Sequence, residues 1–222
     1  MIEDLPVLPI LLLSVIVHEI SHGWMALSLG DPTAKMQGRL TLNPIPHIDP
    51  VGSILVPLMS IAATGHVLIA WAKPVPVDRS NFAHPRRDDV LVSAVGPFSN
   101  LVMAFVCAAG AVGVGLLGRA VNDGAPAIVM ETTRFLFTML YGGMYINVVL
   151  AVFNILPVPP LDGSHVLAAA LPPRAAMSYQ RIGFLGVLVL LLAMRVQAVN
   201  EAFFGAIGLT FAPFRALVDM FL

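Results

Sequence analysis

Two imidazoles and a carboxylate stand together in His18-Glu19-Ile20-Ser21-His22. On a helix, His18 and His22 fall one turn apart on one face, with Cβ atoms about 5–6 Å apart. That separation lets two ring nitrogens meet one tetrahedral zinc ion at about 2.0–2.1 Å. Glu19 is rotated by about 100° from His18 around the helix axis. It can therefore reach a water at the metal without being a ligand. The H-E-x-x-H spacing points to metal-assisted hydrolysis with Glu19 as the acid/base.

The stretch lies inside an apolar run from Leu5 to about Leu29. A helix that is apolar nearly all round reads as a membrane span rather than as a surface helix. Ionisable residues inside such a span are expensive to bury and mark a functional site. The start carries Glu3 and Asp4 in place of positive charge, and no small-residue cleavage site follows. A removed signal peptide is therefore not expected.

Composition agrees with a membrane protein. Of 222 residues, 58% are hydrophobic and 11% charged, and mean hydropathy is +0.87. Soluble domains carry about 25% charged residues, so the expected class is an all-α polytopic membrane protein. The net charge of −1 gives no case for a nucleic-acid partner. The lone Cys107 excludes an internal disulfide and reads as a small buried hydrophobe. Residues 1–222 read as a single transmembrane domain, with a core over about 5–170 and C-terminal helices over about 179–221.

Six apolar runs are long enough to be candidate spans: 5–29, 52–71, 90–118, 127–156, 179–197 and 201–221. The boundary between the last two is poorly marked, and Pro57 and His66 interrupt the second, so five or six spans are both open. With six, Lys73, Arg79, Arg86, Arg87, Arg174 and Arg181 share the side of the N-terminus. Lys35, Arg39, Arg119 and Arg195 fall opposite. That bias places both termini in the cytoplasm. Two loops invite a second reading besides plain connector. Lys35 to Leu42 alternates as a short strand would, and Lys73 to Val77 is stiffened by Pro74 and Pro76. β-like elements near the metal could align an extended peptide by main-chain hydrogen bonds.

Catalytic zinc usually takes three protein ligands. Asp162, His165, His47, His66, His84 and Asp49 are candidates for the third. Asp162 stands out because Pro157, Pro159 and Pro160 force irregular backbone directly before it. Non-helical backbone at membrane depth is tolerated where it is buried in protein or lines a wet cavity. Gly163 would allow a turn just after it. His165 is an alternative ligand, a hydrogen-bonding neighbour of Asp162, or a residue at the mouth of the site. Asn154 could donate to an oxyanion or bridge helices.

These residues together resemble the site-2 protease family of intramembrane zinc metalloproteases. The matching phrases are HEISH at 18–22, NILPVPPLDG at 154–163 and GPFSN at 96–100, in that order and in separate apolar segments. HIDPVGS and WAKPVPV are similar to loop phrases of small prokaryotic members. The resemblance covers residues 5 to about 170. It implies that His18, His22 and Asp162 hold one zinc ion and that Glu19 is the acid/base. It implies that Asn154 lies near bound substrate and that Gly96, Pro97 and Asn100 form a helix-packing motif. It further implies a multi-pass protein of a prokaryotic cell membrane that cuts transmembrane segments of other proteins within the lipid bilayer. PDZ and CBS domains, present in some members, have no counterpart here, and the helix that precedes HExxH in some members is not expected. The alternative is a membrane metal-ion transporter or a non-catalytic metal-binding scaffold that uses the same ligands on broken helices.

Overall fold

The computed structural model describes residues 5–55, 59, 72–121 and 125–222. Helix α1 spans Leu8–Ser28, with a proline in its first turn. It stops at Gly30, whose φ of +106° is a left-handed conformation that favours glycine at a helix end. A single turn, α2, follows at Thr33–Met36. Helices α3 (Pro85–Ala120) and α4 (Ala127–Asn154) are the longest. Short helices α5 (Gly163–Ala170), α6 (Pro173–Gln180) and α7 (Leu185–Ala193) lead to α8 (Gln197–Phe221).

Among the described residues, α1, α3, α4 and α8 are long and apolar enough to cross a membrane. A fifth span results only if α6 and α7, bent by 77° at their junction, count as one. The expected segment 52–71 lies largely outside the described residues. Its flanks, however, meet: Lys73 N–H donates to the His47 carbonyl at 2.9 Å. The chain therefore returns at residue 73 to the end of the bundle it left at residue 47.

The bundle packs through small residues. Ala104, Cys107, Ala108 and Ala111 of α3 are buried against α4 and α8, with Met144, Val148, Ile207 and Val218. Small side chains let apolar helices approach closely where lipid supplies no hydrophobic drive between them. Cys107 is the buried small residue its surroundings suggested.

Two ends of the bundle are distinct. Helix α3 runs antiparallel to α1, since His18 meets Asn100 and His22 meets Val92. The last turns of α1 and α4 and the first turn of α3 thus share one end. The chain at 31–33 and the turn at 78–81 gather there around Asp31, which is fully buried. Its carboxylate accepts from Thr33 N, Asp78 N and Asn81 Nδ2. Burial opposes its ionisation, but these donors hold the carboxyl below its ordinary range. Helices α6 and α7 lie at the same end: the Tyr179 hydroxyl donates to the Pro157 carbonyl, and Leu190 and Met194 line a groove with Leu156. At the far end, Arg119 donates to the Phe221 carbonyl, so the last turns of α3 and α8 lie together.

The expected β-like elements are absent among the described residues. Lys35 and Met36 belong to α2, and a turn at Gly38 follows with φ of +65°. The alternation of residues 35–42 buries one position well, Arg39, whose guanidinium donates to the carbonyls of Lys73 and Pro74. Segment 72–78 is irregular and is held by side chains rather than by a paired strand.

Candidate metal centre

His18 and His22 project from one face of α1, as their spacing requires. Each ring is tied at its rear nitrogen. His18 Nδ1 donates to Asn100 Oδ1 at 2.6 Å, and His22 Nδ1 donates to the Val92 carbonyl at 2.7 Å. A neutral imidazole that donates from Nδ1 carries its lone pair on Nε2. The two Nε2 atoms face each other at 3.1 Å.

Asp162 completes the cluster from the segment between α4 and α5. Its Oδ2 lies 3.2 Å from His18 Nε2, and its Oδ1 lies 3.4 Å from His22 Nε2. Gly163 fixes this approach, for a reason other than a special turn. A Cβ there would overlap the carbonyl groups of Ile155 and Leu156, so only glycine lets the ligand segment fold back on the end of α4. Tyr179 of α6 braces the same segment through Pro157.

The donor set fits a zinc ion on its own chemistry. Asp162 Oδ2 is buried without a hydrogen-bond partner, which is unfavourable unless a cation faces it. The two Nε2 atoms, 3.1 Å apart and each 3.2–3.4 Å from one of the two Asp162 oxygens, repel in the same way. Ligands at about 2.0–2.1 Å around a tetrahedral ion lie about 3.3 Å apart. His18, His22 and Asp162 are the one metal-competent group among the described residues.

Space for the rings is made by α3. A Cβ on Gly96 would lie 2.5 Å from His22 Nε2 and 2.7 Å from His18 Cε1. The GPFSN phrase therefore does more than pack helices: Gly96 leaves room for both imidazoles, and Asn100, one turn on, holds one of them.

Glu19 is half-buried beside the cluster, and its Oε2 accepts from Val75 N–H at 2.8 Å. The irregular 72–78 segment thus reaches the carboxylate directly. The remaining expected residues lie elsewhere. Asn154 is the last residue of α4, and its amide donates to the Leu150 carbonyl of its own helix. His165 pairs with Asp89 at 3.0 Å and Arg79 at 2.7 Å, not with the Asp162 side chain. That grouping joins the 79–81 turn to α3 and α5 at the edge of the site. His47 donates from Nε2 to the Thr41 carbonyl, and Asp49 caps the turn at Val51 and Gly52. His84 precedes α3, where its N–H meets Asp88. His66 lies outside the described residues.

The family model described as "Peptidase family M50" matches residues 6–194. The chain is 41% identical over 194 residues to the Bacillus subtilis protein named "Putative zinc metalloprotease YwhC", covering 84% of this chain and 81% of that one. It is 33% identical over 198 residues to "Putative zinc metalloprotease Rip2" of Mycolicibacterium smegmatis, covering 87% and 68%. The Mycobacterium tuberculosis protein of the same name is 31% identical over 199 residues, covering 88% and 69%. No solved structure matches the chain.

Gly96→Ala tests the spatial requirement. The added methyl displaces both rings, and retained zinc after chelator competition is expected to fall by about 10-fold or more. Helix content should persist, because alanine is the better helix former by about 1 kcal/mol. Zinc retention equal to wild type would contradict the crowding described.

Proposed function

The chain belongs to peptidase family M50, and on that premise we propose that it is an intramembrane zinc endopeptidase that hydrolyses peptide bonds in or near transmembrane segments of other membrane proteins. The observation that carries this reading is the convergence of His18, His22 and Asp162 with Glu19 beside them on α1. His18 Nε2, His22 Nε2 and an Asp162 oxygen would hold one zinc ion. When bound, zinc supplies Lewis acidity, which lowers the pKa of water to about 7 and polarises a peptide carbonyl.

The chain's own residues do the rest. Glu19 takes the proton of the attacking water and delivers it to the leaving amine nitrogen. The Val75 N–H at Oε2 orients that carboxylate and leaves its other oxygen for the proton. Asn100 and the Val92 carbonyl keep both imidazoles in one tautomer throughout the cycle. Asn154 would serve an oxyanion only after giving up its bond to Leu150. A substrate helix must unwind locally to present an extended bond, so Gly, Pro or Asn near the cut would favour it.

The site lies toward the loop end of the bundle, which supports water access from that face. Lys35, Arg39, Lys73, Arg79, Arg86, Arg87, Arg174, Arg181 and Arg195 belong to that end, against Arg119, Arg134 and Arg215 toward the other. This asymmetry favours a cytoplasmic loop end, with both termini on the opposite face. The expectation of cytoplasmic termini was counted over six crossings, whereas His47 and Lys73 meet at one end of the bundle.

Two measurements test the reading. Glu19→Gln should retain zinc and lower cleavage of a membrane-embedded substrate by about 100-fold or more; cleavage at the wild-type rate would refute the assigned role. Ser80, exposed in the loop end, serves for orientation. Ser80→Cys in a Cys107→Ala background should react with a membrane-impermeant maleimide in inverted vesicles and not in intact cells. The reverse pattern would overturn the orientation.

A further inference from the structure

A chain of hydrogen bonds runs away from the metal centre through the middle of the bundle. Asn100 accepts from His18 with its oxygen and donates from Nδ2 to Asn147 Oδ1 at 3.0 Å. Asn147 donates from Nδ2 to the Gly143 carbonyl at 2.9 Å and to Ser14 Oγ at 2.7 Å. The Ser14 hydroxyl donates to the Ile10 carbonyl at 2.6 Å. Ser14, Asn100 and Asn147 are each fully buried, and the three lie on α1, α3 and α4.

The direction of this chain is fixed at its far end. The carbonyls of Gly143 and Ile10 only accept, so Asn147 must turn its NH₂ toward them and its oxygen toward Asn100. Asn100 must then turn its own NH₂ toward Asn147 and its oxygen toward His18. His18 is thereby required to donate from Nδ1 and to keep Nε2 free. If Asn100 were flipped, an amide N–H would face His18 Nδ1. The ring proton would then move to Nε2, the nitrogen that faces Asp162. His22 needs no such chain, because a main-chain carbonyl meets its Nδ1 directly.

We propose that Asn147 is a positioning residue that sets the tautomer of His18, acting through Asn100 from a helix that carries no ligand side chain. The inference rests on the metal-centre reading above, and partners of ligating imidazoles typically change metal affinity by about 10–100-fold. It concerns which atom of Asn100 meets His18 Nδ1, and so it is read from that ring N–H as well as from metal affinity.

Asn147→Leu removes the acceptor that orients Asn100 while filling the same space. Asn147→Ser is a gentler variant, since a serine hydroxyl can satisfy the carbonyl four residues back, as Ser14 does, yet cannot reach Asn100. Asn147→Asp retains an oxygen acceptor for Asn100 Nδ2, whether neutral or charged. Purified zinc-loaded proteins with ¹⁵N-labelled histidine are compared by NMR, and zinc affinity is measured by chelator competition. The His18 Nδ1–H signal should be downfield and slow to exchange in wild type and Asn147→Asp, as expected of a proton donated to Asn100 Oδ1. It should move upfield or exchange away in Asn147→Leu and Asn147→Ser, with zinc affinity lower by about 10–100-fold. Met144→Ala, a buried neighbour on α4, should lower stability without moving that signal. Wild-type ¹⁵N shifts and zinc affinity in both Asn147→Leu and Asn147→Ser would overturn the proposal while leaving the metal centre intact. A wild type that binds no divalent ion would overturn the metal-centre reading and this proposal with it.

Discussion

Three lone-pair atoms held together in a buried place, with no hydrogen-bond donor among them, are the constraint around which the chain is built. Two imidazole nitrogens 3.1 Å apart, each 3.2–3.4 Å from one oxygen of the Asp162 carboxylate, repel unless a cation lies between them. The fold holds them there anyway. Helix α1 supplies both rings, the segment after α4 supplies the carboxylate, and α3 clamps the rings from behind through Asn100 and the Val92 carbonyl. Gly96 leaves the gap they occupy, and Gly163 lets the carboxylate close it.

The cluster also explains why a membrane protein of this size spends so much chain on irregular backbone. Segments 72–78 and 155–162 carry no long helix, yet each has its main chain held by polar side chains: Arg39 and Glu19 for the first, Tyr179 for the second. Such backbone is tolerated in a membrane protein where protein surrounds it or water reaches it. Both conditions suit a hydrolytic site at one end of a bundle. Asp31 anchors the same end through the turn at 78–81, so the element that reaches Glu19 is tied to the end of the helix that bears it.

How much of this was legible in the sequence follows from the range of each signal. The histidine pair on α1 is a local pattern, since spacing alone puts His18 and His22 on one face. Asp162 was legible because three prolines and a glycine have few other uses beside an acid. Long-range partnerships were not legible. Nothing near Asn147 in sequence distinguishes it from any asparagine in an apolar helix, although a buried amide in such a helix is itself a signal that something must bond it. Gly96 was visible within a motif, but not as the void behind two imidazoles. His165 stands three residues after Asp162, yet α5 turns it toward Asp89 and Arg79. The strand-like alternation of 35–42 arises from a helical turn followed by a single buried arginine. The described residues carry four or five of the five or six expected spans, and the remaining candidate, 52–71, lies largely outside them.

Zinc K-edge X-ray absorption on the purified wild-type protein probes the shared ion most directly. If His18, His22 and Asp162 share one ion, the spectrum should fit about four N/O ligands at about 2.0–2.1 Å, two of them with the outer-shell scattering of imidazole. Asp162→Ala should remove an oxygen contribution or the metal itself. A fit with no imidazole scattering, or a wild-type spectrum left unchanged by Asp162→Ala, would contradict a centre shared between α1 and the segment that follows α4.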